Sequence, residues 1–227
     1  KIKFRENIPI ISWIIQKGKC SYCGTNINIR YPLVEFLTAI LFLVFSNSSP
    51  YIYKLNQIPF IENIFSWLLL SILIAISFID IKHFFIPQTL INFGYLTGFV
   101  NLILIEIINQ NILNNYLLKG LISSLGTYLL FEIIRLSAKK IYKREALGKG
   151  DSKLASMLAL WLGPIGMLLS FGLSYIVAAT YILIAYSLKK IRRKDILPFA
   201  PFLSIGALIV WFFGNQAILR TINVLVI

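Results

Sequence analysis

The sequence predicts an all-α, polytopic integral membrane protein, with about seven transmembrane helices that follow a short cytoplasmic amino-terminal segment. Hydrophobic residues make up 58% of the 227 residues and charged residues only 14%. Apolar runs recur along the whole chain, and a membrane-spanning helix needs about 20 predominantly apolar residues. Basic residues are concentrated in a few connecting segments. A soluble helical protein of this composition would have too little polar surface to cover its core.

Seven apolar runs are candidate transmembrane helices. The fifth is the shortest, because its ten or so residues, at a rise of ~1.5 Å each, cover only about half of a hydrocarbon core. It predicts either a short tilted crossing or a re-entrant helix, and Gly163-Pro164 marks its end. The candidate spans are Pro32–Phe45, Ile64–Ile79, Thr89–Ile108, Tyr116–Leu136, Lys153–Leu162, Ile165–Ser187 and Ala200–Gly214.

The distribution of Lys and Arg indicates the orientation. Six lie before the first span, five between Ser137 and Gly150, and five directly after Ser187, whereas the connectors 46–63 and 109–115 are almost free of them. Basic-rich and basic-poor loops alternate only if the short fifth run crosses the membrane. The positive-inside rule then places the amino terminus, the Asp80 loop, the Asp151 loop and the basic loop after Ser187 in the cytoplasm.

The formal net charge of +13 does not favour nucleic-acid binding. The charge is confined largely to the loops of one leaflet, where orientation and anionic lipid headgroups require it. The expected partner of this charge is the lipid bilayer, and no nucleic acid is expected as a partner.

Two of the three aspartates, Asp80 and Asp151, lie at the ends of long apolar runs. An acid at the edge of hydrocarbon is costly to ionise and therefore indicates a functional site. The deduced orientation places both on the cytoplasmic side, and an aspartyl protease requires its two acids on the same side of the membrane. Two structural alternatives stay open. Asp80 could simply cap the hairpin before Ile86-Pro87, where the next helix can begin, and Asp151 could be a helix N-cap.

The segment before the second aspartate reads Gly148-Lys149-Gly150-Asp151. The two glycines allow the backbone to take positive φ and let another chain, such as a substrate strand, approach closely. Gly148, Gly150 and Lys153 are therefore assigned to the loop of the candidate active site. A phosphate-binding loop is a poor alternative, because there is no Gly-Lys-Ser/Thr ending.

Taken together, these motifs resemble the type IV prepilin peptidases, which belong to the GxGD group of membrane aspartyl proteases. The resemblance covers essentially the whole chain in the right order. The matching segments are Asn7–Trp13, Gly18–Cys23, Arg30–Glu35, Ile79–Pro87, Glu145–Leu154 and Pro198–Leu203.

The resemblance implies a multi-pass protein of the prokaryotic inner (cytoplasmic) membrane. It would remove the basic leader peptide from type IV prepilins or pseudopilins at the cytoplasmic face, after a glycine and before the hydrophobic helix. The chemistry needs two carboxylates that share one proton, and no cofactor. One activates a water, while the other protonates the developing oxyanion and helps the amine leave. Which of Asp80 and Asp151 is the base stays open, because coupled sites titrate as a pair.

Cys20 and Cys23 are the only cysteines. On a cytoplasmic segment, Cys-x-x-Cys favours metal or redox chemistry over a structural disulfide, and tetrahedral zinc needs two more ligands. The resemblance implies a second such pair upstream, so the sequence is expected to be truncated before Lys1, with zinc in the intact protein. It also implies that the full-length protein methylates the new amino terminus with S-adenosylmethionine.

Two regions are predicted: a cytoplasmic segment, 1–31, and a transmembrane peptidase domain, 32–227. Other hydrolases are unsupported, because the sole histidine, His83, is not accompanied by Gly-x-Ser-x-Gly or His-Glu-x-x-His. The competing classes are a small ion- or proton-coupled transporter and a non-catalytic scaffold. Against a transporter, both acids are expected at one leaflet, and no inverted repeat is visible.

Three glutamates near the membrane are expected to be structural. Glu35 is expected to contact a basic loop residue, and Glu106 to reach the outer interface. Glu132 and Arg135 lie three residues apart on one predicted helix and are expected to pair.

Overall fold

The computed structural model describes residues 3–46, 59–109, 115–143, 148–190, 192 and 197–226. Within these residues the regular structure is helical, which confirms the all-α class. The chain divides into two compact units, Lys1–Asn47 and Ser48–Ile227. The predicted functional boundary at residue 31 stays a prediction. The elements are a 3-10 helix at Phe4–Asn7 and the α-helices α1 Ile11–Ile15, α2 Arg30–Ser46, α3 Pro59–His83, α4 Gln88–Asn109, α5 Tyr116–Tyr142, α6 Lys149–Ser187 and α7 Ala200–Val226.

Five of the described helices, α3 to α7, are long and apolar enough to cross a membrane. This confirms the prediction of a polytopic membrane protein. The helices extend beyond the predicted apolar runs. For example, α3 continues past Ile79 to His83, and α7 continues past a break at Gly214 to Val226.

The amino-terminal unit is held together by hydrogen bonds between its short elements and α2. Trp13 Nε1 donates to the carbonyl of Ile27 over 3.1 Å. The Glu35 carboxylate of α2 accepts a 2.7 Å hydrogen bond from the backbone N–H of Ile10. Glu35 therefore has a structural role, and the partner that the structure shows is a backbone N–H rather than the expected basic side chain.

Helix α6 consists of two segments, 149–162 and 164–187, because Gly163 has φ 69° and ψ −179° and Pro164 follows it. This confirms the predicted end of the short apolar run. Every residue from Leu154 to Gly163 is buried. The first segment of α6 is therefore the central element of the larger unit.

Two glycines one turn apart on α4 contact side chains of the first segment of α6. A Cβ on Gly94 would lie 2.1 Å from Met157 Sδ, and one on Gly98 would lie 2.5 Å from Trp161 Nε1. Trp161 also donates a 2.9 Å hydrogen bond to the carbonyl of Gly94. Small residues allow such close helix contacts in membrane proteins, where burial from water supplies no driving force.

The contacts of α6 with α7 show that the chain reverses direction at Gly163. At the end of the first segment, the rings of Trp161 and Trp211 lie 5.6 Å apart. The second segment then follows α7 back towards its first residue, Ala200. Its successive contacts are Gly166 with Val210, Ser174 with Gly206, and Tyr181 with Phe202.

The start of α6 lies at the same end of the bundle as the end of α3 and the starts of α4 and α7. Because the chain reverses at Gly163, the last turn of α6 returns to this end as well. Asp80 near the end of α3 bonds to Ala200 at the start of α7. Lys153 near the start of α6 bonds to Gln88 at the start of α4. Both candidate catalytic aspartates are thus at one end of the bundle.

Candidate active site

A cavity of about 550 Å³ at this end of the bundle is lined by both Asp80 and Asp151. It lies between the connection from α3 to α4 and the first turn of α6. The two carboxylates are close enough for the charge of Asp80 to act on Asp151. The other lining residues are Phe84, Phe85, Ile86, Gln88, Ile91, Gly148, Lys149, Gly150 and Lys153.

Asp80 lies in the last turn of α3 and is only 6% exposed. Its Oδ2 accepts a 3.3 Å hydrogen bond from the backbone N–H of Ala200, the first residue of α7. The next residue, Pro201, has no N–H, so Ala200 presents one of the few free donors at this helix start. The buried carboxylate is therefore oriented by the segment Pro198–Leu203, which the sequence had marked only by resemblance.

Asp151 is the third residue of α6, and the N-cap of this helix is Gly148. The hypothesis that Asp151 is itself the N-cap is therefore wrong. Its Oδ2 instead accepts a 3.1 Å hydrogen bond from the backbone N–H of Gly148. The carboxylate thus reaches back from the first turn, as the acidic residue of a capping box does, and this contact fixes its direction.

The glycines of the loop do not take the positive φ that glycine allows. Gly148 is extended, with φ −73° and ψ 148°, and Gly150 lies in the first turn of α6. The positive-φ glycines among the described residues are Gly18, Gly24, Gly163 and Gly214. The approach of a substrate strand stays a prediction, but a close contact within the chain does occur, since a Cβ on Gly150 would lie 3.1 Å from Ile86 Cβ. Gly150 therefore lets α6 pack against the α3–α4 connection.

A polar contact links α4 to α6 at the cavity. The ammonium of Lys153, which the sequence assigned to the site, donates a short hydrogen bond to Gln88 Oε1. Gln88 in turn donates from Nε2 to Asn92 Oδ1 over 2.7 Å, which orients its amide. Sequence reasoning missed Gln88. The feature of the sequence that could have identified Gln88 is its position directly after Ile86-Pro87, at the start of the helix that follows Asp80.

Two family descriptions match the chain. Residues 67–183, about half of the chain, match the type IV leader peptidase family. Residues 1–48 match the bacterial peptidase A24 N-terminal domain. The chain belongs to the type IV leader peptidase family. No solved structure gives a significant match to it.

Curated relatives of this leader peptidase family member include two proteins named "Prepilin leader peptidase/N-methyltransferase". One, from Aeromonas salmonicida, is 31% identical over 93% of the chain and 67% of its own length. The other, from Myxococcus xanthus, is 31% identical over 79% of the chain and 50% of its own length. An Escherichia coli protein named "Type 4 prepilin-like proteins leader peptide-processing enzyme" is 33% identical over 91% of the chain and 70% of its own length.

The remaining sequence-predicted residues of this leader peptidase family member are not part of the cavity. His83 is exposed and does not line it. Cys20 and Cys23 lie in the amino-terminal unit, and a hydrogen bond from Thr25 lowers the pKa of the Cys23 thiol. In the described part of the chain, no group of three or more His, Cys, Asp or Glu could hold a metal ion. Two thiols supply only half of a tetrahedral zinc site, so these residues alone do not complete one.

Proposed function

We propose that this chain removes basic leader peptides from type IV prepilins or pseudopilins, with Asp80 and Asp151 as the catalytic pair. The observation that carries the proposal is that Asp80 and Asp151, from two helices far apart in the sequence, line one cavity at one end of the bundle. The names of the relatives support prepilins as the substrates.

The geometry suits water activation by a carboxylate pair. Each aspartate accepts a backbone N–H through Oδ2, which holds the carboxylate in one direction. Two like charges in one cavity are costly, so the pair holds one proton. The ionised member takes a proton from water as the water attacks the peptide carbonyl. The protonated member donates its proton to the developing oxyanion. The proton taken from water then passes to the departing amine, and the carboxylate that protonated the oxyanion takes a proton back from the tetrahedral intermediate.

The cavity is proposed to face the cytoplasm of a prokaryotic cell, with the bundle in the inner membrane. The support is the distribution of basic residues. The segments 137–150 and 188–194 each carry five Lys or Arg and flank the two ends of α6, which both lie at the Asp80 end of the bundle. Basic loops stay on the cytoplasmic side during insertion. A prepilin leader, which is basic and cytoplasmic, would meet the cavity there.

Methyl transfer to the new amino terminus is a second candidate activity, which the N-methyltransferase in the relatives' names favours. For this activity we propose S-adenosylmethionine as the methyl donor. The transporter alternative is not favoured, because both acids lie near helix ends rather than halfway along the helices, where transporters bind their substrates.

The decisive experiment replaces each aspartate by asparagine and measures prepilin cleavage with purified protein. Asp80→Asn and Asp151→Asn should each lower the cleavage rate by at least about a hundredfold, because the titratable proton is lost. Asparagine Oδ1 can still accept the backbone N–H, so folding and membrane insertion should be normal. The double variant should be scarcely worse than either single one, because the pair acts as a unit.

Asp195→Asn is the matched control and should cleave normally, although Asp195 lies outside the described residues. Near-normal cleavage by either Asp80→Asn or Asp151→Asn would disprove the catalytic pair.

A further inference from the structure

We propose that Phe84 and Phe85 form an apolar subsite beside the catalytic pair. It binds an apolar side chain of the substrate near the scissile bond, on the side of that bond opposite to the basic leader. The inference rests on the proposed function, since it concerns the same cavity. The two phenylalanines are thus specificity-determining residues rather than catalytic ones.

Both rings are exposed at the wall of the candidate active site. Phe84 and Phe85 line the cavity that also contains the two aspartates. Their exposed fractions are 58% and 60%, whereas the next residue, Ile86, is buried. A phenyl ring gains free energy when it is covered by another apolar group. Two neighbouring rings at the wall of a cavity of about 550 Å³ therefore favour an apolar group within that cavity.

The backbone at Phe84 has a conformation that phenylalanine disfavours. Its φ is 52°, in the left-handed region where a residue with a Cβ is strained. Phe84 directly follows the last residue of α3. Helices commonly end with a glycine in this conformation, so steric preference alone would favour glycine here. A bulky side chain at a strained position beside a candidate active site indicates that the side chain itself has a function.

The segment that carries the rings is attached to both catalytic helices. The backbone N–H of Phe84 donates a 2.9 Å hydrogen bond to the carbonyl of Asp80. Two residues later, Ile86 packs so closely on Gly150 that a Cβ there would lie 3.1 Å from Ile86 Cβ. Gly150 directly precedes Asp151. The rings are therefore held near both carboxylates, and a preformed subsite loses less conformational freedom on binding.

Charge indicates which part of the substrate the apolar subsite binds. Lys149 and Lys153 of α6 line the same cavity. Because the two aspartates hold one proton, they carry a single negative charge, and the lysines leave the cavity with a net positive charge. A basic leader is repelled there and is better placed in water or at anionic headgroups. The part of the substrate on the other side of the scissile bond is therefore the part that lies on the rings.

The test combines two enzyme variants, Phe84→Gly and Phe85→Ala, with two sets of prepilin substrates. In the first set, each of the four residues after the scissile bond is replaced in turn by serine. In the second set, the basic residues of the leader are replaced by glutamine. The value of kcat/KM is measured for every combination with purified protein in detergent, and Tm is measured for each enzyme.

The apolar subsite predicts coupling between the enzyme variants and the first set of substrates. With the parent enzyme, serine at one or more of the four positions should lower kcat/KM about tenfold or more, as the loss of an apolar contact does. With Phe84→Gly or Phe85→Ala, the same replacement should cost less than about threefold, because the contact is already lost. Changes in the leader should affect parent and variants by the same factor.

Stability distinguishes a functional ring from a structural one. Phe84→Gly should have a Tm equal to or above that of the parent, because glycine relieves the strained backbone. A lower Tm would show that the ring of Phe84 stabilises the fold, against the functional explanation of the strain. Phe85→Ala leaves the strained position unchanged and tests the apolar subsite by itself if Phe84→Gly is poorly folded.

Phe93→Ala is the matched control. Phe93 lies near the start of α4 at the same end of the bundle, is 46% exposed and does not line the cavity. This variant should respond to both substrate sets as the parent does. An equal loss of coupling in Phe93→Ala would mean that exposed aromatic residues here only anchor the bundle at the membrane interface, and this would overturn the proposal.

Two further results would overturn the apolar subsite. The first is independent effects of the enzyme and substrate changes, because residues in contact do not act independently. The second is coupling with the basic residues of the leader, which would mean that the rings bind cations through their faces. The Asp80→Asn and Asp151→Asn results decide the proposed function separately, because those variants should lose cleavage of every substrate.

Discussion

Gly150 is the residue at which the first turn of α6 meets the connection between α3 and α4. An alanine Cβ there would lie 3.1 to 3.3 Å from three side-chain atoms of Ile86, which is tighter than ordinary van der Waals contact. Ile86 is itself buried and cannot move without disturbing the cavity that it lines. Gly150→Ala should therefore impair prepilin cleavage more than it impairs expression, because the displaced turn carries Asp151. Cleavage rates and membrane-inserted protein levels measure the two effects.

Gly172→Ala is the control for this prediction. Gly172 lies in the second segment of α6, and a Cβ there would have no atom within 4 Å. Alanine favours the helix over glycine by about 1 kcal/mol, so this variant should be at least as stable as the parent. If Gly150→Ala cleaved at the parental rate, the contact with Ile86 would be irrelevant to the site.

At the residue scale, the sequence predicted the side chains of the site better than their partners. Asp80, Asp151 and Lys153 are unusual in their apolar surroundings and could be recognised directly. The donor to Asp80 could not, because the backbone N–H of Ala200 has no side-chain signature and lies 120 residues away. The extended conformation of Gly148 could not be predicted either, for a related reason. Glycine composition shows only that a close approach or an unusual φ is allowed, not which occurs.

At the scale of elements, the packing of α4 against the first segment of α6 controls where Asp151 lies. Trp161 is fully buried and fills the space above Gly98, and a Cβ on Gly98 would lie 2.5 Å from its Nε1. Gly98→Ala should overpack this contact and destabilise the protein by about 1–3 kcal/mol. A thermal unfolding experiment in detergent should show a lower Tm, and the hydrogen bond from Trp161 to Gly94 should be strained or lost.

Gly126→Ala provides the comparison, because a Cβ on Gly126 of α5 would meet no atom within 4 Å. Its Tm should equal or exceed that of the parent. Equal unfolding temperatures for Gly98→Ala and the parent would mean that the indole of Trp161 adapts freely, against the close contact described.

Helix breaks were more predictable from the sequence than helix ends. The break at Gly163 was predictable because proline follows glycine within an apolar run, and both residues disfavour a continuous helix. The end of α3 was not, because an apolar run marks the part of a helix in contact with hydrocarbon. Lys82 and His83 are polar and end the hydrophobic pattern, yet they still continue the helix. The reversal of the chain within α6 could not be predicted from the sequence, and only the contacts between α6 and α7 show it.

On the scale of the whole molecule, chemical function and charge are concentrated at one end of the larger unit. The cavity, the Lys153–Gln88 contact and the Glu132–Arg135 pair all lie where α3 and α5 end and where α4, α6 and α7 begin. The other end of α4 and α5 carries Glu106, which bonds to the start of α5 rather than only reaching the outer interface as expected. The concentration of charge at one end could be predicted from the sequence, because basic loops stay on the cytoplasmic side of the membrane.

The orientation of the bundle can be tested with single cysteines and a membrane-impermeant thiol reagent. In a background with Cys20→Ser and Cys23→Ser, cysteines at Asn47 and Asn111 should be labelled in intact cells, although both positions lie outside the described residues. A cysteine at Lys140, which is exposed near the end of α5 where the cavity lies, should be labelled only after the cells are opened. The expected pattern follows from the alternation of basic-rich and basic-poor loops. Labelling at Lys140 in intact cells would place Asp80 and Asp151 on the outer side, where a cytoplasmic leader peptide could not reach them.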